Sequence, residues 1–448
     1  MPLEFSSKAD GICYINNRLF QLEEQIQLIL AERVSFLHQL NDLQSSDSIF
    51  PDEILSSIFV KACKRPDEPV SPVVLGAVCS RWRRIAWGMP SLWSSLGPIP
   101  PCRPIRHVDV EILSLYFQNT AQHPIDLDLR LDCLPPKRRD SKEFLYVIFV
   151  ENPSKVQKLT FSTSNSIATF NMVERAIKFS NLPCLSTISF VARKIGHNIR
   201  PTPLLPNLFR SAINVRTLSF DSYQLSYMWA ISWSSITVLR LRNIAIDQCV
   251  HILSICSKMV EFHCSLPGPA PDGIRPPSLP VKELQNLEIF DVNLDRAKYI
   301  DGYLVNANSQ WISCLLAHFR FPNLKHMGWG EISTSPDTYA SFLGVMQSLI
   351  TFKCTSFHRS RHIGRILQLL SSTVRRVDLP HLTNNQENNL HTLKAIVANF
   401  IVPESQGTRN LELIFPDTPF GSGLCTTLEN FRKMGLNLKI SNTAYDVY

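Results

Sequence analysis

Two groups of histidine and cysteine residues in this sequence have side chains that can bind metal ions. His358 and His362 stand four residues apart in HRSRH, a spacing that places two imidazole rings on one face of a helix. Arginines flank this pair, and no third ligand follows at a spacing typical of zinc sites. The second group is irregularly spaced and consists of His251, Cys256, His263 and Cys264. We therefore predict no metal site and no cofactor.

The short motifs that mark nucleotide binding and hydrolysis do not occur in this sequence. It contains no G-x-x-x-x-G-K-[ST], no G-x-G-x-x-G, no H-E-x-x-H and no G-x-S-x-G. The sequence therefore predicts a binding protein with no catalytic residues of its own.

Residues 78–96, VCSRWRRIAWGMPSLWSSL, combine tryptophan with arginine, the residue types of a nucleic-acid surface. On a helix, however, the apolar side chains fall within an arc of roughly 120° and the arginines lie on the opposite side. The apolar stripe consists of Val78, Cys79, Trp82, Ile85 and Ala86, and the opposite side of Arg81, Arg83 and Arg84. This separation predicts one amphipathic helix from about Val73 to Pro90, and no nucleic acid as partner.

The preceding stretch, FPDEILSSIFVKACKR at 50–65, predicts another amphipathic helix. Pro51 suits the first helical turn, and Asp52 complements the positive end of the helix dipole. One face carries the apolar residues Ile54, Leu55, Ile58, Phe59 and Ala62. The loop PDEPVSP separates the two helices, so these residues predict a helical hairpin.

Together the two helices resemble an F-box, in the variant found in F-box proteins of mushroom-forming fungi. The matching residues are Pro51, Glu53, Ile54, Leu55, Val78, Cys79, Trp82, Arg83, Ile85, Ala86, Pro90, Leu92 and Trp93, and Phe50 replaces the usual leucine. The resemblance implies docking on the Skp adaptor, and through it on a cullin, in an SCF ubiquitin ligase. The side chains it implicates are Phe50, Pro51, Ile54, Leu55, Ile58, Val78, Cys79, Trp82, Leu92 and Trp93. Sequence alone does not separate those that face the adaptor from those that pack the hairpin.

A heptad pattern precedes the hairpin. Its seam consists of Leu19, Leu22, Ile26, Ile29, Phe36, Leu40 and Leu43, with Arg33 at one seam position. Steps of three and four keep one stripe of a helix against a partner helix. The pattern predicts either a coiled-coil homodimer or a helix that folds back on its own domain. A homodimer would also suit an alternative function, a non-catalytic scaffold that self-associates through this helix.

After a proline-rich joint, one short pattern recurs along the chain. It is an apolar residue, two variable residues, an apolar residue, one variable residue and an apolar residue, mostly at the period of leucine-rich repeats, about 20 to 29 residues. It occurs at 156–161, 185–190, 215–220, 236–241, 259–264, 284–289, 324–329, 349–354 and 374–379, and more loosely at 410–415 and 436–440. Apolar, helix-like stretches such as CVHILSICSK precede several copies. The pattern predicts stacked helix–turn–strand repeats, although an ordinary α/β domain with short strands is the alternative.

The expected fold is therefore α/β in four segments. They are a heptad-bearing helix over 12–45, a small all-α F-box over 46–96, a proline-rich linker over 97–104, and a leucine-rich-repeat-like solenoid with a parallel sheet over 105–448. Such tails often follow the F-boxes that this segment resembles. In that family the tail holds a target protein. Within the tail of this chain, Arg359, Arg361 and Arg365 are candidate target-binding residues because they could form a positive patch for an acidic or phosphorylated target; scattered surface charge is the alternative.

Composition agrees with a folded binding protein. The chain is 44% hydrophobic and 19% charged with a net charge of +7, which is mild over 448 residues. The cysteines occur singly, without C-x-x-C, as in a reduced compartment. The first residues lack the layout of a signal peptide, and no apolar run is long enough for a membrane span. We expect a protein of the cytoplasm, the nucleus or both, with no membrane partner.

Overall fold

A computed structural model describes most of the first two thirds of the chain and shorter stretches beyond. The described residues are 7–44, 50–65, 69–99, 103–163, 167–178, 180–192, 205–221, 231–265, 280–293, 314–315, 317–330, 342–343, 346–354, 369–370, 373–378, 412–416, 429–430, 433 and 437–441. The chain divides into two compact units. Unit 1 is Met1–Ser94 with Asn119–His123, and unit 2 is Ser95–Gln118 with Pro124–Tyr448.

Unit 1 is helical. Its helices are α1 (Lys8–Gln44), α2 (Asp52–Cys63), α3 (Pro72–Val78) and α4 (Ser80–Trp87), and a 3-10 turn follows at Pro90–Leu92. Pro72 occupies the first turn of α3, where its missing N–H has no helical partner to lose. The Ser71 hydroxyl caps the same helix by accepting the Val73 N–H at 3.3 Å. Helices α2, α3 and α4 pack against one another.

The single helix predicted between Val73 and Pro90 is two helices, which corrects that expectation. Cys79 has an extended backbone, with φ −155° and ψ 170°, and ends α3. Its Sγ then accepts the Trp82 N–H at 3.4 Å and caps α4. The apolar stripe is therefore interrupted, because residues before and after Cys79 belong to different helices.

α1 is longer than the predicted segment at its start, since it begins at Lys8. Its described side chains, from 8 to 37 and at 39 and 40, are all exposed apart from Gly11. The seam residues are included, with Leu19 at 55% and Phe36 at 60% exposure. Within the described residues, no face of α1 is covered, whereas a helix that folds back on its own domain would bury one face.

Unit 2 contains a long parallel sheet, so the predicted α/β class with a parallel sheet is confirmed. Its thirteen described strands follow one another in chain order and each pairs in parallel with the next. They are β1 (Ser95–Ile99), β2 (Ile125–Arg130), β3 (Val156–Thr163), β4 (Thr187–Ala192), β5 (Thr217–Asp221), β6 (Val238–Arg242), β7 (Glu261–Ser265), β9 (Ile289–Asn293), β11 (His326–Trp329), β12 (Thr351–Cys354), β13 (Arg376–Asp378), β14 (Glu412–Pro416) and β15 (Asn437–Ser441). The short strands β8 (Lys282–Glu283) and β10 (Phe319–Arg320) form a separate parallel pair.

Helices occur between several of these strands. They are α5 (His107–Asn119), α6 (Arg139–Tyr146), α7 (Ile167–Ile177), α8 (Pro206–Ser211) and α9 (Ile246–Ile255). The helix expected from CVHILSICSK is α9, which begins three residues before that stretch. In the part of the chain that the structure describes, no helix has both the length and the apolar character needed to cross a bilayer.

The recurring apolar pattern places two buried rows of side chains along the sheet. Phe161, Phe190 and Phe220 stack on adjacent strands, with ring centroids 5.4 and 5.3 Å apart. The copy predicted at 284–289 begins three residues before the register that the structure shows. Phe290, and not Leu287, pairs with Phe262 of the neighbouring strand, and the two rings stack at 5.5 Å.

Two strands of the sheet lie outside the predicted repeats. β2 is IDLDLR, whose strict alternation of apolar and polar residues is a strand signal that the six-residue pattern did not include. β1 includes Gly97 and Pro98 and crosses the position at which the sequence set the start of the proline-rich linker. Its partner is β2, so the sheet begins at Ser95.

Candidate protein-docking site

The core of the unit 1 hairpin consists of large apolar side chains from every helix after α1. Leu55 and Phe59 of α2 are buried, as are Ile85 and Ala86 of α4. Trp93 is fully buried, and its indole Nε1 donates to the Ala86 carbonyl at 2.9 Å. That bond satisfies the one polar group of the ring inside the core.

Five other apolar side chains of the hairpin are exposed, and we call them the apolar surface. They are Phe50, Ile54, Ile58, Val74 and Val78, each between 46% and 57% exposed. Ile54 and Ile58 stand one turn apart on α2, and Val74 and Val78 one turn apart on α3, so each pair lies on one helix face. Exposed apolar groups of this size on a small domain are candidates for binding another protein, because large exposed apolar patches mark interaction sites.

An ion-pair cluster connects the start of α2 with α4. The Arg81 guanidinium donates to Asp52 Oδ1 at 2.6 Å and to the Phe50 carbonyl at 2.6 Å. Arg84 contacts the second oxygen of Asp52 at 3.3 Å. The hydrogen bond from Arg81 holds the pKa of Asp52 below its usual value. The cluster thereby holds the backbone of Phe50, the first residue of the apolar surface, against α4.

The remaining arginine of the stretch is also engaged within the hairpin. Arg83 Nε donates to the carbonyl of Gly76 at 2.9 Å. Gly76 is in the last turn of α3, where carbonyl groups lack a hydrogen-bond partner within the helix. All three arginines that made residues 78–96 resemble a nucleic-acid surface therefore bond acceptors of the same hairpin.

Two tryptophans pack inside the hairpin, Trp82 from the predicted apolar stripe and Trp87 from outside it. Trp82 is half-buried, and its ring contacts Phe59 with centroids 4.9 Å apart. Trp87, which lies off the predicted stripe, packs edge-on against Trp93 at 4.8 Å. A Cβ at Gly76 would lie 2.0 Å from the Trp87 ring, so glycine is what lets α3 and α4 approach so closely.

The structure thus divides the ten residues that the sequence implicated in adaptor binding. Four belong to the apolar surface, and Pro51 beside them is exposed as well; three are buried in the core, and two are half-buried. The exposed residues are Phe50, Pro51, Ile54, Ile58 and Val78; the buried ones are Leu55, Leu92 and Trp93; the half-buried ones are Cys79 and Trp82. Val74 joins the surface although the sequence did not single it out, and its spacing of four from Val78 was the available signal. Arg359, Arg361 and Arg365 lie outside the described residues, as do His358 and His362.

The irregular histidine and cysteine group of the sequence separates in space. Cys249 of α9 and Cys264 of β7 are buried with their Sγ atoms 3.6 Å apart. Cys256 is buried too, and the loss of solvent raises the pKa of its thiol to about 12. His251 is exposed on α9. The cysteines therefore belong to the core of the repeats.

His263 lies on the other face of the sheet, between Glu261 of its own strand and Asp291 of the neighbouring strand. Its Nε2 is 3.6 Å from Glu261 Oε2, and its Nδ1 is 3.9 Å from Asp291 Oδ2. Both distances exceed that of a good hydrogen bond. A Cβ at Gly328 would lie 2.3 Å from Asp291 Oδ1, so the glycine leaves room for this carboxylate. The arrangement is a cross-strand charge network of the kind that supports sheet pairing.

One further set of metal-binding side chains comes together in unit 2. One ligand atom each from His107 of α5 and from Asp140 and Glu143 of α6 lie within 4.8 Å of one another. His107 is 65% exposed and also stands 3.5 Å from Glu111. Sequence reasoning missed this set because His107 is more than thirty residues from the two carboxylates in the chain. Its exposure is typical of a surface ion-pair cluster.

A scan of the sequence against protein-family models and a search of the curated proteins both found no match.

Proposed function

We propose that this chain is the substrate-recognition subunit of an SCF-type cullin ubiquitin ligase. In this proposal the α2–α4 hairpin is an F-box that docks on a Skp-type adaptor. Unit 2 is a leucine-rich-repeat-like solenoid that holds a target protein. The observation that carries the proposal is the apolar surface, because its side chains belong to the segment whose residues resemble an F-box.

The exposure of these side chains supports docking. A helix that packs only within its own hairpin needs one apolar stripe, and α2 has Leu55 and Phe59 for that purpose. Ile54 and Ile58 extend the apolar area of α2 into solvent, which gains nothing for the isolated domain. A partner that covers them would recover that free energy.

The chain itself has no catalytic role in this proposal. Ubiquitin transfer would belong to the partner enzymes, and this subunit would raise the local concentration of target lysines beside them. No cofactor is required for such a role.

Binding of purified full-length chain to a fungal Skp-type adaptor tests the proposal. Ile54→Asp and Ile58→Asp should each lower the affinity at least about tenfold, because a charge would be buried against an apolar partner. Ser57→Asp is the matched control, since Ser57 is exposed on the same helix and outside the apolar surface. Leu55→Asp is unsuitable, because Leu55 is 2% exposed and its replacement would disrupt the hairpin core.

Hydrogen exchange of α4 in each variant shows whether the hairpin is still folded. Full adaptor binding by Ile54→Asp and Ile58→Asp chains with a protected α4 would remove the apolar surface from the explanation. The same conclusion follows if wild-type chain does not bind the adaptor at all.

A further inference from the structure

The exposed face of α1 carries a longer seam than the heptad pattern alone indicated. Because α1 begins at Lys8, Ile12 and Ile15 extend the seam by one heptad toward the N-terminus. In heptad letters, the a positions are Ile12, Leu19, Ile26, Arg33 and Leu40, and the d positions are Ile15, Leu22, Ile29, Phe36 and Leu43. The described seam side chains from 12 to 40 are all exposed. At about 1.5 Å per residue, the seam from Ile12 to Leu43 is roughly 47 Å long.

We propose that α1 pairs with α1 of a second copy of this chain as a parallel, in-register coiled coil. A heptad seam of this length buries its side chains when two such helices wind around each other. Isoleucine and leucine fill most of its positions, and Leu30 and Leu37 at e positions widen the apolar stripe. The proposal concerns self-association and does not depend on adaptor binding.

The charges beside the seam select the parallel orientation. In a parallel pair, the g residue of one helix faces the e residue of the next heptad on the other. Arg18 is a g residue and Glu23 is the e residue of the following heptad, so they have opposite charges. By symmetry the pair forms twice. Arg18 donates one N–H to Gln21 at 3.1 Å, which leaves further guanidinium donors for a carboxylate.

The charged seam position also fits the parallel register. In the parallel pair, Arg33 of one helix packs into a hole on the second helix. Glu32 of the second helix, which immediately precedes the Arg33 that faces the first, lines that hole. Each arginine therefore meets a carboxylate of the other copy. An antiparallel alignment over the full seam would set Arg33 opposite Leu22, a charge at an apolar layer without a partner.

A parallel pair brings the C-terminal ends of both helices to the same end of the coil. The homodimer would then carry two copies of the chain that follows α1, starting from the same end of the coil. Two linked binding modules raise the overall affinity for any ligand that is itself repeated.

Sedimentation equilibrium of the full-length chain tests the pairing. We expect the mass of two chains at micromolar concentration, and a monomer or a larger assembly overturns the proposal. Ile26→Asp should raise the dissociation constant of the pair at least about a hundredfold, because two carboxylates would meet in one a layer. Leu28→Asp is the matched control, since Leu28 is exposed at a c position off the seam. If Leu28→Asp separates the chains equally, or Ile26→Asp does not, the seam is not the interface.

Charge variants test the orientation without altering any apolar side chain. Arg18→Glu and Glu23→Arg should each weaken the homodimer about tenfold, since each sets like charges opposite each other twice. The double variant Arg18→Glu/Glu23→Arg should regain wild-type affinity. A mixture of the two single variants should form heterodimers well above the statistical half, as measured by native mass spectrometry. A statistical mixture, or a double variant as weak as the single ones, rules out the parallel register.

Discussion

The sheet of unit 2 and the hairpin of unit 1 contain similar apolar side chains, but those on the sheet are covered and several on the hairpin are exposed. Phe190 is buried between the rings of two neighbouring strands, whereas Phe50 is 46% exposed at the start of the hairpin. In a repeated sheet every strand is covered by the next, so the repeat supplies its own apolar partners. The hairpin has no following copy. Its uncovered side chains are the basis of the proposed docking on an adaptor. Single exposed residues such as Ile213 in unit 2 do not alter the contrast.

The largest expected difference between the two units is in the reactivity of their thiols. Because the pKa of Cys256 is about 12, only about one thiol in ten thousand is ionised at pH 8, and burial blocks the reagent as well. Iodoacetamide should therefore label exposed Cys13 of α1 at least about a thousandfold faster than Cys256, as measured by mass spectrometry of peptides. Unfolding in urea should remove the difference. Comparable rates in the native chain would mean that the interior of the repeats is open to solvent.

The raised thiol pKa also predicts a loss of stability at alkaline pH. The unfolded chain releases this proton near pH 8.5, and the folded chain only near pH 12. Unit 2 should therefore lose stability as pH rises from about 9 toward 12, and Cys256→Ala should reduce that dependence. If the free energy of unfolding of Cys256→Ala falls with pH as steeply as that of the wild type, the raised pKa of Cys256 is contradicted.

Replacing the same residue type in each region measures the contrast directly. Phe190→Ala should lower the free energy of unfolding of unit 2 by about 3–5 kcal/mol, because it leaves a cavity between stacked rings. Phe50→Ala should change that of unit 1 by no more than about 0.5 kcal/mol. Hydrogen exchange across a urea series gives the value for each unit separately. Equal losses would show that Phe50 is also part of a core.

A smaller effect should come from the close approach of α3 and α4. Alanine normally favours a helix over glycine by about 1 kcal/mol, but a Cβ at Gly76 would overlap the Trp87 ring. Gly76→Ala should therefore destabilise unit 1 by about 1–3 kcal/mol. In a Trp87→Ala background, Gly76→Ala should become neutral or stabilising, and a persistent loss would refute the steric explanation.

The smallest effect should come from the ion pair that fixes Phe50. Asp52 has a lowered pKa in the folded chain, so its contribution is present above about pH 4, the unfolded value, and is lost as pH falls through the folded value. Asp52→Asn should lower the thermal stability of unit 1 slightly at pH 7 and have no effect at the acid end. Glu53→Gln, which alters the neighbouring carboxylate, is the control. If the difference in thermal stability between the wild type and Asp52→Asn grows as pH falls, its sign is opposite to that expected for this ion pair.

The sequence predicted the strands of the described sheet well and the hairpin only in outline. Leu159, Leu218 and Leu239 each stand in the middle of the six-residue apolar pattern, and that local pattern was enough to locate their strands. The break at Cys79 was missed because the apolar period continues across it, while the backbone turns there to cap α4. The misplaced copy at Leu287 arose because both leucine and phenylalanine satisfy an apolar position.

By itself, the sequence determined the α/β class, the positions of most described strands and the segments that form α1 and α2, because apolar periodicity depends only on neighbours in the chain. Tertiary structure alone decided which side of each helix is covered. Ile54 and Leu55 are adjacent and equally apolar, yet one is 47% exposed and the other 2%. Burial depends on which other elements pack against a face, and those elements come from distant parts of the chain. The apolar surface and the uncovered seam of α1 are both consequences of that difference.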